Sequence, residues 1–276
     1  MMSRTEYTVE EGIGILMMND PARLNPLDIA MDDELLERLE ACEADPAVQV
    51  VVLGGKGRAF SAGGDMQFFR EQIDRGRYEK LDEILTHVNR LILYMKTMRK
   101  LIVAAVQGHA AGGGANLALA ADFIIADETM KFSEPFTKIG LAPDAGGMYL
   151  LSRAVGARKA LELCVEHPVI DAAEADRLGL LTGLVPAGRA LEEAVRYARE
   201  LAAGPLRAYE LAKVQNFAVN YADLETYLAV TERQTMHEAF RSADFAEAVH
   251  AFCEKRPPDG NPEIISVKTS PAGIRQ

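Results

Sequence analysis

Positive charge is in short supply. The chain carries 30 Lys and Arg against 41 Asp and Glu, a net charge of −11. That excludes a broad cationic face for nucleic acid, although local amides and lysines can still hold an anionic ligand. Cysteine is nearly absent: Cys42, Cys164 and Cys253 stand far apart. Their odd number and the lack of any CxxC pair argue against a zinc site or a disulfide framework, so no metal is expected and a reducing compartment fits. No apolar run approaches the about 18 residues that a membrane helix needs. The start of the chain lacks the basic-then-apolar pattern of a leader. A cytoplasmic protein with neither nucleic-acid nor membrane partners is expected. No solenoid-type repeat is present either.

What is present is an ordinary globular composition, 49% hydrophobic and 26% charged over 276 residues, enough to bury a sizeable core. Ile13 to Met18 and Val48 to Leu53 read as buried strands. Ile29 to Ala44 has helical spacing, with Met31, Leu35, Leu36 and Leu39 inward and its acidic residues on the other face. Residues 68–100 read as a long helical stretch, Leu101 to Val106 as another buried strand, and Phe123 to Ala126 as a short one. This alternation predicts an α/β fold with mostly parallel sheets. Helices are expected at 157–166, 171–178, 190–203 and roughly 205–250, with Asp171 as an N-cap. The Pro- and Gly-containing tail from Arg256 on carries the only disorder signature.

Two segments share one design, strand then glycine loop then helix: VVVLGGKGRAFSAGGDM and LIVAAVQGHAAGGGANLALA. Glycine permits positive φ and lets a ligand approach the backbone. Free N–H groups at a helix start favour negative charge. Two such loops side by side would bind one developing oxyanion; taken singly, each reads equally well as a tight turn. Other motifs fail on their letters. Gly55-Lys56-Gly57 is not continued as a dinucleotide or P-loop fingerprint. Ser61 lacks the first glycine of a nucleophile elbow. His237-Glu238 lacks the second histidine of a zinc protease.

These segments resemble the crotonase superfamily, the enoyl-CoA hydratase/isomerase family, from Tyr7 to about Arg256. The resemblance rests on Ala22 to Leu27, Arg58 to Met66, Gly108 to Gly114, and Phe132 to Phe136 followed by Gly140 to Gly147. It implies a crotonase-like ββα spiral core over residues 1–200 and a helical C-terminal region over 201–276 that builds a homo-trimer or a hexamer. It implies a coenzyme A thioester as substrate, no permanently bound cofactor, and oxyanion amides at Gly64 and Gly113. Substrate or CoA contacts would come from Arg23, Leu24, Ala62, Asp65, Met66 and Phe136, with Phe252 and Lys255 from the C-terminal region.

Hydration of an enoyl thioester calls for two carboxylates, and the family's hydratases carry two Glu. Here Asn116 and Phe136 occupy those positions, and neither exchanges a proton at neutral pH. Asp144 lies in a glycine-rich turn where several double-bond-shifting relatives carry an Asp. One carboxylate suffices for a 1,3-proton shift with the oxyanion hole holding the dienolate, and an apolar surround of Phe136, Met148 and Tyr149 would raise its pKa. The competing reading is an Asp that merely closes its own turn. Glu134 is a second catalytic candidate; Asp65 and His109 read as structural. An isomerase using Asp144 is therefore expected. The alternatives are a hydratase, hydrolase or lyase of the same family, and a non-catalytic CoA-binding paralogue.

Overall fold

Short runs of β-branched and small apolar residues supply the strands, and glycine turns hand each one to its successor. A computed structural model describes residues 3–259; the tail beyond Asp259 lies outside the described residues. Six strands form one sheet in the order β1 (Thr5–Glu10), β2 (Ile13–Met18), β3 (Val50–Gly55), β5 (Leu101–Val106), β7 (Phe123–Asp127) and β10 (Gly183–Val185). Only the β1–β2 pair is antiparallel. A second sheet joins β4 (Ala59–Ser61), β6 (His109–Ala111), β8 (Lys131–Ser133) and β9 (Ile170–Asp171).

The chain alternates between the sheets. β3, β5 and β7 are neighbours in the large one, while β4, β6 and β8 are neighbours in the small one. Each turn of this spiral is two strands and a helical segment. At one crossing the backbone leaves no room for a side chain: Gly108 has φ +57°, and a Cβ there would sit 1.9 Å from the carbonyl oxygen of Arg58.

The large sheet is buried on both faces, as its continuous apolar runs predict. Val50, Val52, Leu101 and Val103 pack beneath helix α8 (Ala190–Ala202), against Ala194, Val195 and Ala198. Val51, Leu53, Ile102 and Ala104 point the other way into the main core. Each fully buried Val, Leu or Ile among them stabilises the fold by about 1.5–3 kcal/mol.

Helix α1 (Ile29–Ala44) spans the expected residues and is capped by Asp28, which accepts from Met31 N. The long stretch at 68–100 is two helices, α2 (Met66–Asp74) and α3 (Tyr78–Thr97), parted at Gly76 with φ +63°. The spiral continues with α4 (Gly113–Ala120), α5 (Gly147–Val155), α6 (Ala157–Glu166) and α7 (Ala172–Arg177), the last capped by Asp171. The expected helix at 205–250 is broken into α9 (Leu206–Asn220), α10 (Leu224–Thr226), a π-helical turn at Tyr227–Glu232, α11 (Arg233–Phe240) and α12 (Ala243–Glu254). Leu224, Leu228, Met236, Phe240, Phe245 and Val249 join the main core. Among the described residues, no helix is long and apolar enough to cross a membrane.

Candidate functional site

The two glycine loops meet. After β4 the chain runs through Ala62, Gly63 and Gly64 into α2; after β6 it runs through Gly112 and Gly113 into α4. Gly63 has φ +83°, and a Cβ on it would stand 2.6 Å from the carbonyl oxygen of Ala111 and 3.2 Å from the amide nitrogen of Gly113. Only glycine permits that approach. Gly64 and Gly113 thus share one wall of a cavity of about 240 Å³. No acceptor among the described residues takes either amide. Gly113 is the first residue of α4, where an N–H has no partner within the helix.

A buried asparagine holds the first loop. Asn25 donates through Nδ2 to the carbonyls of Lys56, Ala59 and Phe60, each at 3.0 Å, and accepts from Asp20 N at 2.9 Å. It and Leu24 both have positive φ, 52° and 64°, a strained pairing outside glycine. Ser61 is spent on this scaffold: its hydroxyl donates to Asn25 O at 2.7 Å, which removes it as a nucleophile. Asp65 caps α2 through Gln67 N and Phe68 N and pairs with Arg23 at 2.7 Å, the structural role expected of it.

Two acids, Asp32 and Asp144, border the same cavity. No described residue hydrogen-bonds the Asp144 carboxyl, and burial alone pushes its pKa up to about 7. The turn-closing reading of Asp144 is thereby set aside: its carbonyl, not its carboxyl, makes the turn, accepting from Gly147 N at 2.8 Å. The next two residues, Ala145 and Gly146, both have positive φ, 52° and 72°.

Two neighbours pin this turn. Asn116 donates Nδ2 to the Asp144 carbonyl at 2.8 Å. Glu232, on the π-helical turn, accepts from Gly146 N at 2.9 Å. Asn116 does here what a carboxylate could not, because it donates. Glu232 is 1% exposed, and burial, then the charge of Asp144, push its pKa up to about 8.

Glu134 is not on the cavity wall. It is 1% exposed, and both its oxygens lack a partner among the described residues. Burial first, then Asp144, hold its pKa well above the ordinary range, with Asn116 offsetting part of the rise. No bond of normal length joins Glu134 and Asn116, so that offset is a matter of proximity. Asp32 was expected on the outer face of α1 with the other acids, yet it faces inward. It is 1% exposed and borders the cavity. The helical spacing carried that signal, since residue 32 shares the face of Leu35, Leu36 and Leu39. Glu232 had no such signal, because the π turn breaks the period. The four acids form no cluster that would hold a metal ion among the described residues.

Of the other expected contacts, Ala62, Met66, Phe136 and Phe252 border the cavity. Arg23, Leu24, Asp65 and Lys255 do not; Arg23 and Asp65 pair just outside it. Met148 and Tyr149, expected to line the pocket beside Phe136, do not border this cavity. The Tyr149 hydroxyl instead bonds Asp223, and its ring lies 5.1 Å from that of Tyr227. Ile84 and Val88 of α3 complete the apolar wall, and the exposed Lys138 adds a cation. A wider cavity of about 530 Å³ opens near Lys96, Asp122 and Lys213. There Lys213 is already neutralised by Asp122 at 2.7 Å, and no unpaired acid or free amide of the kind seen above borders it, so the smaller cavity is the candidate site.

Known proteins share both the fold and the sequence. The family pattern described as enoyl-CoA hydratase/isomerase matches residues 8–261. A protein named as a probable enoyl-CoA hydratase of Rhizobium meliloti is 38% identical over 88% of this chain and 92% of its own. A trans-2-decenoyl-[acyl-carrier-protein] isomerase of Streptococcus mutans is 31% identical over 91% of this chain and 95% of its own. The crystal structure of an enoyl-CoA hydratase from Mycobacterium avium subsp. paratuberculosis superposes with a TM-score of 0.84 at 32% identity, covering 94% of this chain and 98% of that one.

Proposed function

Because the chain belongs to the enoyl-CoA hydratase/isomerase family, we propose that it is an enoyl-CoA isomerase with Asp144 as its single acid/base. The Asp144 carboxylate takes a proton from the α carbon of a β,γ-enoyl thioester. The C–H electrons enter a dienolate whose oxygen is held by the Gly64 and Gly113 amides. Asp144 then returns the proton to the γ carbon, leaving the double bond between α and β. One group can give and take because its pKa, about 7, lies near the operating pH.

The observation that carries this reading is the cavity itself. In support, that cavity is bordered both by a carboxyl and by two glycine amides that have no partner among the described residues, while Asn116 and Phe136 stand where hydration would want acids. The CoA portion would follow Ala62, Asp65 and Met66 past Arg23, Leu24 and Lys138, with Phe252 and Lys255 closing from the C-terminal side. Exposed apolar residues on α9, Leu211, Val214 and Val219, support self-association as a homo-trimer or hexamer.

The test offers β,γ- and α,β-enoyl-CoA esters to the wild type and to Asp144→Asn, with products identified by mass. Isomerisation leaves the mass unchanged, and the variant should lose about 10³-fold in kcat/KM. The base form is needed, so wild-type kcat/KM should climb with pH and level off above about 7. Equal turnover by both proteins would remove Asp144 from the mechanism. Hydration is the second reading, favoured by the relatives' names and by a second cavity acid, Asp32; a product heavier by one water would establish it.

A further inference from the structure

Asp32 is a buried acid that the 1,3-proton shift does not use. Asp32 borders the cavity, it is 1% exposed, and both its carboxyl oxygens are buried without a hydrogen-bond partner among the described residues. Most side chains of the cavity wall are apolar, among them Leu27, Phe69, Ile84, Val88, Ile139 and Leu141, with Asp144 the other acid that borders it. A carboxyl left unpaired in such a wall is costly to the empty fold, and a polar group that enters the cavity would satisfy it. We infer that Asp32 is a specificity residue of the acyl cavity, and that its carboxyl hydrogen-bonds an oxygen carried on the acyl chain itself, a hydroxyl or a carbonyl distinct from the thioester. This rests on the reading of the cavity as the acyl site.

The largely apolar wall favours a neutral oxygen over an ammonium as the partner, since a charged group is the costlier one to bring there. Burial first, then the charges of Asp28, Asp144 and Asp33, drive the Asp32 pKa well above the ordinary carboxylate range. A neutral carboxyl offers one O–H donor and one acceptor. It matches a hydroxyl or keto oxygen, whereas an ammonium would call for the anion. A plain alkyl or alkenyl chain leaves the group unsatisfied. A site built to bond a polar substituent discriminates strongly against the analogue that lacks it.

The experiment uses the full chain and saturated short-chain acyl-CoAs, each with and without one hydroxyl or keto oxygen along the chain. Saturated thioesters cannot undergo the proton shift, so equilibrium binding by calorimetry reads recognition apart from catalysis. The wild type should bind at least one oxygenated member about tenfold more tightly than its plain counterpart. Asp32→Asn, which keeps a donor, should retain part of that preference. Asp32→Leu should abolish it and bind the plain chain at least as tightly as the wild type does. If the wild type binds every plain chain as well as its oxygenated partner, or if Asp32→Leu keeps the preference, the inference is wrong while the acyl site stands. If no acyl-CoA binds at all, the acyl-site reading fails and takes this inference with it. Should the Leu variant not fold, as judged by circular dichroism, the wild-type comparison and Asp32→Asn decide.

Discussion

The two sides of the cavity are built from different materials. On one side the chemistry belongs to backbone: the amides of Gly64 and Gly113, fixed by loop and helix geometry and indifferent to pH. On the other it belongs to side chains: Asp144 and Asp32 at the surface of the cavity, with Glu134 and Glu232 behind. The backbone side stabilises the fold as it forms the site, since Asn25 and Ser61 satisfy every carbonyl they reach. The side-chain side works against stability, because it buries four carboxyls with few partners. On the proposed mechanism, transition-state charge would be met by groups that need no tuning, and proton transfer by a group whose tuning comes from burial.

The largest expected effect tests the backbone side alone. Gly113 is the first residue of α4, a position that accepts proline without breaking the helix. Gly113→Pro removes the amide hydrogen and puts a ring carbon in its place, while Leu27, whose side-chain end would lie 3.2 Å from an added Cβ, yields slightly. Turnover should fall about 10²–10³-fold with the helix content unchanged. Steady-state kinetics beside circular dichroism check this, and a variant with wild-type kcat would show that the oxyanion is held elsewhere.

A smaller effect is expected from loosening the other side without removing an acid. Asn116→Ala deletes the 2.8 Å bond to the Asp144 carbonyl and leaves Glu232 as the one side chain hydrogen-bonded to the left-handed Ala145–Gly146 turn among the described residues. Asp144 would wander from its reacting position. kcat should fall about tenfold with KM changed little, because misplacement by a fraction of an ångström has this order of cost. A rise in KM with kcat intact would instead make Asn116 a binding residue, and the comparison between the sides would lose its point.

The two sides also differed in how far they could be read from the letters. The glycine loops were legible because a backbone site leaves its mark in residue type: only glycine tolerates the approach at Gly63. Asp144 was legible once the loops were paired with Pro143-Asp144-Ala145-Gly146-Gly147. Of the other acids, Glu134 was singled out but Asp32 and Glu232 were not. Asp32 looked like one more charge on an acidic helix, and its inward phase contradicted the habit of placing acids outside. Glu232 sat in what read as one long helix, where a π turn rotates the side chains that follow it. The small sheet escaped for a different reason: β4, β6 and β8 are three residues each, too short for alternation to be counted. β2 and α1, long and regular, fell on or within the expected residues.

The smallest expected effect measures what the buried acids cost. Glu232 has its pKa raised from 4.5 to about 8 in the folded chain. Between those values the folded state holds a proton that the unfolded state has released. Stability therefore falls as pH climbs through that window and stops falling above about 8. Glu232→Gln keeps an acceptor for Gly146 N and cannot ionise. Its Tm should match the wild type near about pH 5 and exceed it by on the order of 5 °C near about pH 8.5. A difference in Tm that is the same at both pH values would mean that Glu232 is ionised in the fold. The carboxylate side would then have to contain a cationic or donating partner for it, and its raised pKa values could no longer be assigned to burial.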